Sequence, residues 1–272
     1  MHAYGKGWNR MTQTLQTYRS TAQRAAIVLA VFFQIGSTFL PNLGFGEPIG
    51  DRSDDVRTLI TPAGWAFAIW GPLFFGSIVF AIYQALPKQH HNALLKRIGW
   101  FAAAALAGNG VWATWTTLNE ISAPSAVIIA ATLVCFLIVL RVFVRWADRF
   151  TTGERWCAVL PLSALAAWLT AATIVNISAS LKYHGVDAGD AAASITAAII
   201  VVGGVIAAFA ILRSEGNPWY TLVFLWALLA IYLKGGQEAQ PVALAAFGSG
   251  LLVMLAALAR LRNPANRAHW FG

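Results

Sequence analysis

Long apolar segments separated by short polar loops constrain this chain more than any other feature. A helix needs about 20 apolar residues to cross a hydrocarbon core roughly 30 Å thick, and eight segments approach or reach that length. They are residues 25–46, 65–86, 98–118, 124–145, 157–181, 192–213, 219–233 and 242–260. Only 11% of the 272 residues are charged, against about 25% in soluble domains. The sequence therefore predicts an all-α fold, a polytopic membrane helical bundle of about eight transmembrane helices.

Lysine and arginine are divided unevenly between the two sides of the predicted membrane. If the amino terminus lies inside, the outer loops hold only four of the nineteen basic residues: Arg52, Arg57, Lys182 and Lys234. Because cationic loops stay cytoplasmic, we expect a multi-pass protein of the cytoplasmic (inner) membrane with both termini cytoplasmic. Residues 1–24 form a basic tail and residues 261–272 a second tail. The net charge of +8 does not indicate a nucleic-acid partner, because the basic residues lie in short loops rather than on one soluble face.

Tryptophan and asparagine recur inside the predicted spans at helical spacing. In the third span, with Trp115 beside them, four residues share one face: Asn109, Trp112, Thr116 and Asn119. In the fifth span, Trp168 and Asn176 share a face. The second span begins at Trp65 after a Pro-Ala-Gly turn, which places Trp70 about 7–8 Å below its end at 1.5 Å per residue. We expect these groups to converge on one level, in the outer half of the bundle.

Two interpretations of these aromatic and amide groups stay open from the residues alone. They can hold helices together, since interhelical hydrogen bonds are a usual packing device in membranes. They can instead line a largely apolar cavity with a few polar groups, suited to a flat hydrophobic small molecule. A buried amide without a partner costs several kcal/mol in hydrocarbon, so both interpretations direct Asn109 and Asn176 into the bundle.

Groups that carry chemistry in other membrane proteins are missing from the spans. No Asp, Glu, Lys, Arg or His lies near the middle of any predicted span, whereas proton relays and ion-coupled transporters generally place ionisable groups there. The sequence holds no P-loop, HExxH or GxSxG element. It therefore predicts no catalytic residues and no metal ligands, and any enzymatic chemistry would have to come from a bound cofactor or from loop residues.

Three motifs resemble those of one known family, the tryptophan-rich sensory proteins, which are bacterial relatives of the mitochondrial translocator protein or peripheral benzodiazepine receptor. The first motif is a proline-rich turn leading into the second helix: Pro62, Ala63, Gly64, Trp65, Phe67 and Trp70. The second is an Asn-x-x-Trp in the third helix, Asn109 and Trp112. The third, in the fifth helix, combines Pro161, Trp168 and Asn176.

The resemblance implies a five-helix core over residues 25–181, with three additional transmembrane helices over 182–260 that place the chain in a longer branch of the family. It also implies a pocket beneath the first loop that binds porphyrins and related tetrapyrroles. No cofactor is firmly implied, and a bound porphyrin or haem-like tetrapyrrole is the one to consider. The implied ligand-binding residues are Trp65, Phe67, Trp70, Asn109, Trp112, Trp115, Asn119, Trp168 and Asn176. Pro62, Gly64 and Pro161 would shape the backbone.

The chain also departs from the family pattern. Ala63 stands where the turn has its second proline, and Leu162 follows Pro161 in place of a tyrosine. The leading hypothesis is an integral membrane protein that binds a tetrapyrrole for sensing, handling or transport. One alternative is a structural or assembly subunit that docks on a larger membrane complex through helices six to eight. Another is a facilitative transporter without ion coupling. A homodimer also stays open.

Overall fold

The protein is all-helical throughout residues 18–272, the part that the computed structural model describes. We label the eight long helices α1 to α8. They are α1 Thr21–Gly36, α2 Trp70–Ala85, α3 Ala93–Leu118, α4 Ala123–Val144, α5 Leu160–Tyr183, α6 Ala192–Arg213, α7 Pro218–Tyr232 and α8 Gln240–Leu261. The two longest of the shorter helices are a loop helix at Ile49–Asp55 and a C-terminal helix at Pro264–Phe271. This confirms the predicted polytopic helical bundle.

Within the described residues, seven helical segments are long and apolar enough to cross a membrane. They are Thr21–Phe39, Gly64–Ala85, Ala123–Val144, Thr152–Tyr183, Gly189–Arg213, Pro218–Glu238 and Gln240–Leu261. The remaining predicted span corresponds to α3, which is long enough at 26 residues but less apolar. The mean hydropathy of α3 is lowered by its tryptophans, its threonines and Asn109. Asn109, Trp112 and Thr116 are buried inside the protein.

The first helix differs most from its predicted bounds, because it begins and ends earlier than residues 25–46. Ser20 caps its start, with the side-chain hydroxyl accepting a hydrogen bond from the Gln23 amide. After Gly36 the chain continues as two 3₁₀ turns, Ser37–Phe39 and Pro41–Leu43. Proline lacks an amide proton and glycine tolerates a left-handed backbone, and Gly44 has a φ of 83°. The chain therefore leaves the helix well before residue 46.

Five helices form a closed ring. Going around it, α2 packs on α1, α1 on α3, α3 on α4, α4 on α5, and α5 returns to α2. Where the ring closes, the absence of a side chain at Gly76 lets α2 approach Pro161 closely. A π-helical turn at Arg155–Val159 directly precedes Pro161, and π turns commonly absorb an irregularity in the hydrogen-bond ladder.

The other three helices form a layer on the outside of this ring. α7 packs on α5, α8 packs on α7, and α6 pairs mainly with α8. Buried hydrogen bonds join α7 to α5: Asn217 Nδ2 donates to Ser163 Oγ at 3.0 Å, and Tyr220 Oη donates to Thr170 Oγ1 at 3.0 Å. α5 therefore belongs to both the ring and the layer.

The two ends of the bundle differ. One end, which we call the loop end, carries the loop helix and residues 40–64, and the loop helix packs on α3. The opposite end, which we call the basic end, carries Arg19, Arg24 and the C-terminal helix. There Trp270 is fully buried and its indole nitrogen donates to the Glu215 carbonyl at 3.2 Å.

Candidate ligand-binding site

Two adjoining chambers lie inside the bundle at its loop end. The first has a volume of about 230 Å³ and opens between α1, α2 and α3. It is lined by Thr38, Pro41, Asn42, Pro48, Ile49, Gly50, Phe67, Trp70, Phe74, Asn109, Trp112, Ala113 and Thr117. The second has a volume of about 50 Å³ and lies deeper, between α5 and α7. Ile49, Phe67 and Trp112 line both chambers and form the partition between them.

The turn before α2 positions two of the aromatic walls. Pro62 and Ala63 are extended, and the chain then forms a 3₁₀ helix over Gly64–Ile69 that continues directly into α2 at Trp70. The Ala66 amide donates to the Ala63 carbonyl at 2.8 Å, which closes the first turn. Phe67 therefore leaves this segment at the level of the partition.

Trp168 lies at the centre of the aromatic cluster. Its indole makes edge-to-face contacts with Phe67, at 6.3 Å between ring centroids, and with Trp70, at 6.1 Å. Trp70 in turn stacks on Phe74 at 5.2 Å. Such geometries are the favoured ones for aromatic pairs, so the rings hold one another in fixed orientations around the chambers.

Several polar atoms in these walls are buried without a hydrogen-bond partner among residues 18–272. They are Asn109 Oδ1, Trp112 Nε1, Trp168 Nε1 and Thr117 Oγ1. An unsatisfied buried polar group costs roughly 1–3 kcal/mol. The chamber walls thus offer indole and hydroxyl donors and one amide acceptor that the described protein does not itself use.

The two asparagines differ in their partners. Asn176 Oδ1 accepts a hydrogen bond from Ser125 Oγ at 2.9 Å, which joins α5 to α4. Asn109, only 1% exposed, has no partner for its carbonyl oxygen in the described part of the chain. The Asn176 amide therefore links two helices, whereas the Asn109 carbonyl oxygen lies buried without a partner among residues 18–272.

Not every residue expected at the site lines a chamber. The first chamber includes Phe67, Trp70, Asn109 and Trp112, while the second adds Pro62, Trp168 and Asn176. Trp65 is 44% exposed and packs edge-to-face on Trp226 at 4.9 Å.

Two more of the expected residues lie on α3 or at its end, outside both chambers. Asn119 is exposed and donates to the Trp115 carbonyl at 3.2 Å, at the end of α3. Trp115 lines neither chamber. The expected structural residues Gly64 and Pro161 lie at the start of the 3₁₀ segment and at the α2–α5 contact.

Other residues of the chambers carry no distinctive pattern in the sequence. Ala227 and Ile231 of α7 line the second chamber, but they are apolar residues within an apolar helix. Ile49 belongs to the loop helix, which lies between two predicted spans. The only sequence feature that points to α7 is Trp226, a tryptophan in the middle of the short seventh span. Its Nε1 donates to the Ala66 carbonyl at 3.1 Å.

Ionisable groups lie at the rim of the site rather than inside it. Arg52 of the loop helix forms ion pairs with Glu47, at 3.2 Å, and with Glu120. Within residues 18–272, no group of three or more His, Cys, Asp or Glu side chains could hold a metal ion. The chambers themselves are lined by apolar, aromatic and uncharged polar residues.

Comparison with known families covers almost the whole of this architecture. The sequence model of the family described as "TSPO-like protein" matches residues 21–259. The chain belongs to this family. No curated protein and no solved structure matches the TSPO-like chain. The family match extends beyond residue 181, where the motifs ended, and includes α6, α7 and α8.

In this TSPO-like protein the first loop is fixed to α3 on one side. The Glu47 amide donates at 2.9 Å to the carbonyl of Thr117, a residue that lines the first chamber. Gly46 has a φ of 69°, and a side chain there would overlap the same Thr117 carbonyl. Glycine is therefore required at this position for the loop to approach α3.

The same loop is fixed to α7 on the other side. The Ala63 amide donates to the Ala230 carbonyl at 3.1 Å. That carbonyl lies in the last turn of α7, where helical carbonyls lack an intrahelical partner. Beyond the helix end, a side chain at Gly235 would overlap the Leu59 carbonyl, and Arg57 pairs with Glu238. The outer layer therefore helps to position the turn that carries Phe67.

Proposed function

We propose that this integral membrane protein of the TSPO type binds a flat hydrophobic ring system, a porphyrin or related tetrapyrrole, in the two chambers. The observation that carries the proposal is the aromatic wall of Phe67, Trp70, Trp112 and Trp168, together with unpartnered polar atoms in the same walls. Aromatic faces stack on a planar ring, and the indole donors and the Asn109 carbonyl offer hydrogen bonds to its nitrogens or carboxylates.

The size of the chambers bears on how such a ligand enters. Pockets that enclose drug-sized ligands have volumes of about 300–1,000 Å³, whereas the two chambers hold about 230 and 50 Å³. Even joined, the chambers stay below this range, so a tetrapyrrole needs them to merge and to widen. Of the three partition residues, Ile49 belongs to the seven-residue loop helix, and displacement of that helix would open the partition on its side.

A binding experiment with matched variants tests the proposal. Protoporphyrin IX is titrated into the purified protein, and binding is followed by its absorption shift and by tryptophan quenching. We expect the double change Trp70→Ala and Trp112→Ala to abolish saturable binding. The control, Trp100→Ala with Trp156→Ala, removes two half-exposed indoles outside both chambers and should leave the affinity unchanged.

The two outcomes separate clearly if folding is checked by size-exclusion chromatography and thermal unfolding in the same detergent. Unchanged affinity in a folded Trp70→Ala/Trp112→Ala protein would place binding elsewhere. Purification with stoichiometric partner subunits and no affinity for protoporphyrin would instead favour an assembly subunit.

The location and orientation of the protein belong to the same proposal. We infer that the basic end faces the cytoplasm of the inner membrane and that the chambers open on the opposite side. The support is the excess of Lys and Arg at the basic end, as the positive-inside rule requires. Cysteine labelling with a membrane-impermeant maleimide at Asp54→Cys, in a variant without Cys135 and Cys157, would test it: labelling of intact cells is expected.

A further inference from the structure

A further cavity, which shares no lining residue with the chambers, forms a groove on the outer surface between α1 and α2. Its volume is about 700 Å³. On α1 its wall consists of Val28, Val31, Phe32, Ile35 and Gly36, and on α2 of Ile78, Ala81, Ile82 and Ala85, with Leu86 and Pro87 beyond. Each wall follows a single helical face at i, i+3, i+4 and i+7 spacing. The groove therefore runs along the two helices toward the basic end.

Cationic side chains stand where the groove reaches the basic end. Arg24 lies one turn before Val28 on the same face of α1, and its guanidinium donates to the carbonyl of the groove residue Ala85 and contacts His90 Nε2. Arg24 Nε is buried with no partner among the described residues. Lys88 follows directly after Leu86 and Pro87 and is exposed.

Arg19 adds a third positive charge behind Arg24. It is 3% exposed and its guanidinium donates to the Gln84 carbonyl and side chain, both at 2.8 Å. Burial, with the nearby Arg24 charge, lowers the pKa of Arg19 to about 10, so Arg19 stays cationic at neutral pH. The end of α2 is thus capped by two guanidinium groups.

Within residues 18–272, this cluster forms no ion pair with an acidic side chain. The ion pairs within residues 18–272 involve Arg52, Arg57 and Arg260, and none includes Arg19, Arg24 or Lys88. The preceding residues 1–17 contain no Asp or Glu, so they cannot supply a carboxylate. An apolar groove that ends in unneutralised cations matches a molecule with an acyl chain and an anionic head, and basic pockets between helices are a known way to hold anionic lipid headgroups.

We propose that the groove between α1 and α2 is a site for one anionic glycerophospholipid, with its phosphate at Arg24 and Lys88 and an acyl chain along Val28, Phe32 and Ile82. Arg19 contributes charge from behind without touching the lipid. The site is separate from the chambers, which lie at the opposite end of the bundle, and it does not depend on the identity of their ligand.

The test measures lipid selectivity in reconstituted membranes. The full-length protein is placed in phosphatidylcholine bilayers with spin-labelled phosphatidylglycerol or spin-labelled phosphatidylcholine, and the immobilised fraction of each is measured. The wild-type protein should select phosphatidylglycerol. Since one basic residue near a lipid surface contributes about 1 kcal/mol, Lys88→Glu should lower that selectivity at least about fivefold. High salt should weaken the selectivity as well.

Matched variants separate charge and groove from general effects. Arg262→Glu reverses an exposed charge at the same end, after α8, and should leave selectivity unchanged. Gly36→Leu places a bulky side chain in the groove, in space that is open in the structure. Gly248→Leu is the control, because it places the same side chain in open space on α8, outside the groove. Gly36→Leu should reduce the immobilised phosphatidylglycerol, whereas Gly248→Leu should not.

Two results would overturn the proposal. One is unchanged selectivity in both Lys88→Glu and Gly36→Leu. The other is a loss of dimers in Gly36→Leu, measured by native mass spectrometry, with lipid selectivity intact, which would make the groove an interface between copies of this chain. Arg24→Gln and Arg24→Lys test the headgroup contact independently. Because the lysine variant keeps the charge, it should retain more of the phosphatidylglycerol selectivity than Arg24→Gln.

Discussion

Replacing Asn109 with leucine and replacing Asn176 with leucine should change stability in opposite directions. Asn109 and Asn176 are 1% and 4% exposed, and the substitution removes the same amide from each. Only Asn176 has a side-chain partner, Ser125 Oγ at 2.9 Å. At position 109 the change removes a buried carbonyl that has no partner in residues 18–272, and the larger side chain meets the first chamber.

The magnitudes follow from these contacts. Relief of an unsatisfied buried polar group is worth about 1–3 kcal/mol, so Asn109→Leu should raise the free energy of unfolding by an amount in that range. Interhelical hydrogen bonds in membrane proteins contribute about 0.6 kcal/mol on average and up to about 1.7, so Asn176→Leu should lower it by a similar amount. The two variants should therefore differ by about 2–4 kcal/mol.

The assay is equilibrium unfolding of the wild type and both variants in mixed micelles with increasing sodium dodecyl sulfate, followed by far-UV circular dichroism. Protoporphyrin titration of the same samples gives the second readout, in which the stabilised Asn109→Leu protein should bind more weakly. Equal destabilisation by the two substitutions would refute the reasoning, because it would show that Asn109 makes an interhelical bond. A stabilised Asn109→Leu protein with unchanged affinity would remove Asn109 from the binding site.

Three further predictions concern the loop and the C-terminal helix. Gly235→Ala should detach the loop from α7, since the new methyl group would overlap the Leu59 carbonyl. Gly64→Ala is the control, because its methyl group meets open space. Limited proteolysis within residues 47–60 should be faster in the Gly235→Ala protein only. Trp226→Phe keeps an aromatic ring beside Trp65 but loses the hydrogen-bond donor to the Ala66 carbonyl, so amide hydrogen exchange at residues 63–67 should become faster. The control, Trp219→Phe, should leave the exchange rate unchanged. Burial lowers the pKa of His269 below its ordinary value, although a hydrogen bond to the Phe143 carbonyl opposes this. Below a pH of about 6.5 the undocked helix therefore binds more protons than the docked helix. Docking of Pro264–Phe271 should weaken as the pH falls below this value and stay constant above it. Hydrogen exchange at pH 5.5 and 7.5 should show this, and His269→Gln should remove the pH dependence.

The helices could be predicted where an unbroken apolar run decides the structure. The bounds of α2, α4, α6 and α8 lie within a few residues of the predicted spans, and α7 begins at Pro218, one residue before the predicted seventh span. The end of α1 could not be predicted from the length of the apolar run, because residues 37–46 are apolar enough to continue a transmembrane helix. Pro41 and Gly44 nevertheless turn the chain out of the helix.

The site was predictable to the extent that helical spacing determines it. Trp70, Asn109, Trp112, Trp168 and Asn176 all line a chamber because each occupies the inward face of a regular helix. Trp65 does not, since the chain around it is a 3₁₀ helix, with 3.0 rather than 3.6 residues per turn, and its ring turns toward α7. The spacing that placed Asn119 inside also failed, because α3 ends at Leu118.

The position of α5 has a consequence for any attempt to shorten this protein. A chain cut after Tyr183 would keep all five ring helices, yet it would lose Ala227 and Ile231 from the floor of the second chamber and the Ala230 carbonyl that receives the Ala63 amide. It would also leave Ser163 and Thr170 of α5 without Asn217 and Tyr220, facing acyl chains that offer no hydrogen bonds. The ring of this TSPO-like protein is therefore not an excisable module, and a minimal fragment that keeps both chambers must retain α7.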